Sequence, residues 1–157
     1  MSIVDLGQLA SLLRPGSRLL GIDLGEKTIG LALSDTLRAI ASPMDTLKRG
    51  KFTADANAIL NLIEEHGIGG LVIGLPLNMD GTSGPAAQSA RAFANNLAKL
   101  SDIPVVLVDE RLSTAAVTRT LLDADASRKR RGEVVDKMAA AYILQGALDQ
   151  LRTMANG

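Results

Sequence analysis

The chain has 157 residues, 46% of them apolar, and its 17 cationic side chains balance 17 acidic ones. That length suits one domain with a sizeable core, and the apolar content excludes disorder. The absence of cysteine excludes disulfides, thiolate zinc sites and thiol catalysis. Phe52, Phe93 and Tyr142 are the whole aromatic complement, too few for a base-stacking platform. Zero net charge means that a polyanion must be met by a local patch. No run is long and apolar enough to span a bilayer and no signal-peptide layout opens the chain, so a cytoplasmic protein without a membrane partner is expected.

Residues 2–13 read as a short amphipathic helix, with Ser2 and Asp5 as a capping-box pair and Arg14-Pro15-Gly16 as its stop. This accessory element, residues 1–16, precedes the stretch that organises the chain, RLLGIDLGEKTIGLALSD at 18–35. Two apolar runs, 19–24 and 29–34, flank a Gly-Glu-Lys-Thr turn, the pattern of a β-hairpin. Residues 39–47 make a third strand, with Pro43 marking an edge or a bend. Apolar residues at helical spacing predict a helix over 52–66, ended by Gly67, with the lone histidine, His66, at its last turn. A short buried strand at 70–74 leads into a turn-rich loop at 75–84, and an alanine-rich helix covers 85–100. A strand at 103–108 ends in Asp109-Glu110-Arg111, and Ser113 caps a helix running to 124. A polar, basic loop at 126–132 leads into a long final helix at 133–154. A three-strand meander followed by alternating helices and strands makes a single α/β domain over 1–157, its sheet part antiparallel and part parallel.

Three acids stand out in this layout. Asp23 lies in the most apolar strand, where a carboxylate is costly unless it is paired, hydrogen-bonded or bound to a metal; at the strand end it would merely cap the turn. Asp109 and Glu110 end a parallel strand, the edge at which ligands gather, and point to opposite faces, so one of the two reaches any given site. Asp136, placed in the first turn of the final helix, continues the small apolar stripe Ala139, Ala140, Ile143 and Ala147; near a helix start it would also complement the macrodipole. Three converging carboxylates repel one another unless a divalent cation joins them. Mg²⁺ and Mn²⁺ take oxygen ligands and keep waters, and a pair of them roughly 4 Å apart suits phosphodiester cleavage without a histidine base.

The segments GIDLGEKTIGLALSD (21–35), VIGLPLNMDGTSG (72–84), VDERLST (108–114) and VDKMAAAYIL (135–144) together resemble the YqgF (RuvX-like) family of pre-16S rRNA nucleases and Holliday junction resolvase-like proteins. The resemblance covers 18–149. It implies an RNase H-like fold with a five-stranded mixed sheet, an antiparallel three-strand meander plus two parallel strands, and helices on both faces. It also implies an acidic cluster of Asp23, Glu110 and Asp136 that holds Mg²⁺ or Mn²⁺, two ions with substrate bound, and cleaves structured nucleic acid. Maturation of the ribosomal RNA 5′ end is the favoured role. Two departures are visible: Thr28 stands where the family commonly has arginine, and Gly74-Leu75-Pro76 stands where the wider superfamily often has its middle acid.

Substrate contacts are expected from Arg128, Lys129, Arg130 and Arg131, four successive cations just ahead of Asp136, by neutralising phosphates. Lys27 in the hairpin turn, Arg111 beside Glu110 and Asn78 in the 75–84 loop are further candidates. Each has a plainer alternative, a surface ion pair for the cations and turn formation for Asn78. A metal-dependent endonuclease on precursor rRNA competes with a resolvase on branched DNA and with a non-catalytic nucleic-acid adaptor, as monomer or homodimer. An ATPase of the actin and Hsp70 type shares only the hairpin pattern, and a lone domain cannot enclose its nucleotide.

Overall fold

The computed structural model describes residues 3–78, 80–110 and 128–156, with side chains in the last segment from Lys137 to Ala155. The expected hairpin forms from β1 (Arg18–Leu24) and β2 (Thr28–Ser34), and β3 (Ala41–Lys48) completes the antiparallel meander. Helix α2 (Phe52–His66) leads to β4 (Ile68–Leu75), and α3 (Pro85–Leu100) leads to β5 (Val105–Asp109). β4 lies parallel to β1 and β5 parallel to β4, giving the order β3-β2-β1-β4-β5. A short α1 (Leu6–Leu12) opens the fold and α4 (Arg128–Asn156) closes it. Among the described residues no helix is long and apolar enough to cross a membrane.

Strand alternation divides the core between the two faces. Leu20, Ile22, Leu24, Ile29, Leu31, Leu71 and Ile73 pack against Ala56 and Ile59 of α2 and Phe93 and Leu97 of α3. Phe52 meets Phe93 edge-on, with ring centroids 5.4 Å apart. On the other face Leu19, Ala32, Val72 and Val106 pack against Leu9 of α1 and Ala139, Ala140, Ile143, Leu144 and Ala147 of α4. Gly21 makes that second layer thin: a Cβ there would stand 2.8 Å from Leu144 Cβ and 2.9 Å from the Ala140 carbonyl. The small-residue stripe of α4 therefore rests on the backbone of the central strand.

Several boundaries depart from the sequence reading; β3 and β5 each start two residues later than expected, at Ala41 and Val105. Helix α1 starts only at Leu6, capped by Asp5 in a capping box with Gln8 rather than by Ser2. Ile3 and Val4 are taken instead by the sheet, Ile3 bridging Val105 in parallel and Val4 N–H donating to the Val105 carbonyl at 2.9 Å. β4 begins earlier than expected, because Arg18 pairs with Ile68 ahead of a register shift. The basic segment at 128–131 is not loop but the first turn of α4, so Asp136 is nine residues into the helix rather than in its first turn. Arginine and lysine are good helix formers, and their propensity prevails here over an unfavourable position against the macrodipole. The helix expected at 113–124 lies outside the described residues.

Candidate functional site

Asp23 is 3% exposed, one residue before the end of β1. Gly30 is its partner across the antiparallel ladder, and Gly30 in turn pairs with Thr46 of β3. On the parallel side Ile22 pairs with Ile73, so Asp23 and Gly74 follow side by side; Gly74 pairs with Val108 of β5. Paired residues share a face, so one row across the sheet reads Thr46, Gly30, Asp23, Gly74, Val108. Asp23 lies two residues from Gly21 and therefore shares its face, the one covered by α4. Glycine on both sides keeps that row open around the carboxylate.

The gap over Gly74 is filled from the end of β5. A Cβ on Gly74 would stand 2.6 Å from Glu110 Oε1, 2.9 Å from Glu110 Cγ and 2.7 Å from Ile143 Cδ1. The Glu110 side chain thus lies back across β4, beneath α4, toward Asp23. The alternative is resolved by the same register: Asp109 pairs with Leu75 and alternates with Val108, which puts it on the α2–α3 face. Glu110 is the acid that shares a face with Asp23.

Position 136 precedes Ala139 and Ala140 by three and four residues, on the stripe of α4 that covers this face. The side chain of Asp136 lies outside the described residues. Among the described residues no cluster of three or more metal-ligating side chains is assembled. Asp23 and Glu110 are the described members of the acidic cluster expected from the sequence, and a pair of carboxylates on one face is the kind of hard-oxygen donor set that Mg²⁺ or Mn²⁺ takes.

Of the substrate-side candidates, Lys27 is exposed in the hairpin turn, and its carbonyl accepts a bond from Arg49 N–H at 2.8 Å. Asn78 is exposed but committed within its own loop. Its amide donates to Thr82 Oγ1 at 3.0 Å, its backbone N–H donates to the Thr82 carbonyl, and its carbonyl accepts from Gly81. Asp80 secures Thr82 by accepting from its hydroxyl at 2.6 Å and its N–H at 3.0 Å. Arg111 and the side chains of Arg128, Lys129, Arg130 and Arg131 lie outside the described residues.

Two supports of the site were not among the expected site residues. Gly74 is one: it lies within the 72–84 motif, but its role is readable only once its register beside Asp23 is known. Arg49 is the other: its guanidinium donates to the Gly25 carbonyl and to Ser89 Oγ, both at 2.8 Å, tying the turn after Asp23 to α3. The run Lys48-Arg49-Gly50-Lys51 after the third strand was the available signal for it.

The family model described as "RuvX: Holliday junction resolvase" matches residues 17–150. A protein of Paramagnetospirillum magneticum named "Putative pre-16S rRNA nuclease" is 62% identical over 149 residues, covering 95% of this chain and 96% of its own. A Methylocella silvestris protein of the same name is 58% identical, covering 96% of this chain and 93% of its own. Among solved structures, T. thermophilus RuvC in complex with Holliday junction substrate matches with a TM-score of 0.54 at 13% identity, over 87% of this chain and 97% of that one. A likeness at that identity shows a common fold, in agreement with the RNase H-like sheet expected from the motifs.

Proposed function

Because the chain belongs to the RuvX family, we propose that it is an endonuclease that hydrolyses phosphodiester bonds in structured RNA, the 5′ end of precursor 16S rRNA being its substrate. The observation that supports this most directly is the Glu110 carboxylate lying over Gly74, on the face and in the row of the sheet that carry Asp23. Curated relatives at 54–62% identity bear the rRNA nuclease name, which favours RNA over branched DNA as substrate. An rRNA-processing role puts the enzyme in the cytoplasm.

Asp23 and Glu110, with Asp136 as third ligand, would hold Mg²⁺ or Mn²⁺. Such an ion lowers the pKa of a bound water and stabilises developing charge on the phosphate oxygens. The protein's own part is positional. The central strand pairs Asp23 with Gly30 on one edge and runs its ladder to β4 up to the preceding Ile22 on the other, so its carboxylate holds one place. Glu110 reaches the site from a strand tip and lies, with Ile143, in the space left over Gly74. The four cations at 128–131 begin α4 about 12 Å along the helix axis from position 136 at its far end, near enough to neutralise phosphates next to the one cleaved. Lys27 and Arg111 are assigned the same task, and Asn78 that of shaping the loop beside the site.

The test sets a precursor 16S rRNA 5′ fragment beside a four-way DNA junction, each in Mg²⁺, Mn²⁺ or chelator, with Asp23→Asn and Asp136→Asn proteins alongside. RNA cleavage that needs the metal and falls at least 10²-fold in both variants, with circular dichroism unchanged, is the expected result. Junction cleavage alone would move the assignment to branched DNA. Tight binding without cleavage in either metal would make the protein an adaptor.

A further inference from the structure

The sheet end that carries Asp23 also carries cations outside the proposed acidic site. Thr28 pairs with Lys48 across the β2–β3 ladder, two residues beyond the Gly30–Thr46 pair that lies in the Asp23 row. By alternation Lys48 therefore projects from the same face as Asp23. Two strand spacings across and two residues along place its Cα about 12 Å from that of Asp23. Lys27 stands at the tip of the neighbouring turn, and Lys51 is the N-cap of α2, making no capping bond with its side chain. All three lysines are exposed, and none forms an ion pair with a described residue.

Nearby acids do not offset this charge equally. Asp55 is buried and accepts from Gly50 N–H through both carboxylate oxygens, at 3.2 and 3.1 Å. Asp45 pairs with Leu31, so it faces away from Lys48. Glu26 is the exposed acid at the turn. Arg49 does not compete for ligand; its guanidinium is spent on the Gly25 carbonyl and Ser89, and its N–H on the Lys27 carbonyl. That arginine fixes the turn against the end of β3, so Lys27 and Lys48 are carried on one braced segment.

We propose that Lys48, with Lys27 and Lys51, forms a phosphate-contacting rim that holds the nucleic-acid backbone on the β3 side of the acidic site. This inference rests on the nuclease reading for its ligand and deepens it by naming where the flanking backbone lies. Such contacts neutralise phosphate without reading bases, so each adds to the salt dependence of binding and none to sequence preference.

The experiment measures binding of fluorescein-labelled single-stranded RNA, duplex RNA and duplex DNA by anisotropy across a salt series. The Asp23→Asn background prevents cleavage during the titration. Lys48→Ala/Lys51→Ala in that background is expected to weaken binding on the order of tenfold at 0.1 M salt, and to lower the slope of log K against log salt by about 1 per lysine contacting phosphate. Lys99→Ala/Arg14→Ala, exposed near the end of α3 and after α1, removes the same two charges as the control and leaves affinity and slope where they were. The RNA and DNA arms show whether one backbone is preferred. An unaltered slope and affinity in the double lysine variant, while the parent binds, would overturn the rim and leave the nuclease reading standing. Absence of binding by the parent to every ligand would overturn both.

Discussion

Gly74→Ala probes the site without touching a carboxylate. The added Cβ would stand 2.6 Å from Glu110 Oε1 and 2.7 Å from Ile143 Cδ1, whereas an ordinary carbon contact needs roughly 3.5 Å or more. Each neighbour must therefore retreat by about 1 Å. Crowding a packed layer in this way costs about 1–3 kcal/mol, which lowers Tm by about 3–10 °C for a chain of this size. A 1 Å displacement of a positioning carboxylate costs on the order of 10² in rate. The two effects separate through Ile143→Val, which deletes the crowded Cδ1 but leaves Glu110 facing the new methyl. Gly74→Ala/Ile143→Val should recover Tm relative to Gly74→Ala, while cleavage of the RNA fragment and Mn²⁺ affinity, read by electron paramagnetic resonance, both stay depressed. Recovery of cleavage and Mn²⁺ binding together with Tm would refute the reasoning, because Gly74 would then serve packing alone.

Asp35, just past β2, accepts hydrogen bonds from the backbone N–H groups of Ile40 and Ala39, which hold its carboxyl below the usual range. A depressed folded-state value stabilises above the unfolded aspartate value of about 3.9 and is lost as pH falls through the folded one. The stability gap between wild type and Asp35→Ala should be full at pH 6 and shrink in urea titrations below pH 4. Gln145 of α4 spans to the start of β3, accepting from Ala41 N–H at 2.8 Å and donating to the Ala39 carbonyl at 3.0 Å. Gln145→Leu should cost about 1–3 kcal/mol in urea unfolding with the m-value unchanged; a cost below a few tenths would show that water replaces the clamp freely.

The hairpin, the helix over 52–66 and the buried position of Asp23 were legible because local signals agreed: apolar runs, a glycine turn and a left-handed Gly67 cap, at φ 63°. The choice between Asp109 and Glu110 was not legible, since it depends on the β4–β5 register and on the gap over Gly74, neither of which is written in the strand that carries the acids. Two plausible capping boxes overlapped at Ser2, Asp5 and Gln8, and a distant strand settled the choice by claiming Ile3 and Val4. The basic segment was misread because its charge spoke for solvent, while the helix propensity of its residues went unweighed. Arg49 acts through two partners 24 and 40 positions away in sequence, a separation that no local motif records.

The pairing of Ile3 and Val4 with Val105 bears on how this protein behaves in company. A parallel sheet that stopped at β5 would offer a neighbouring molecule a row of unsatisfied amides, the template from which stacking into fibres begins. By laying residues 3 and 4 against Val105, the chain covers the start of that side with its own backbone. The opposite border, β3, is interrupted by Pro43 and by Asp45 and so makes a poor seam for joining copies edge to edge.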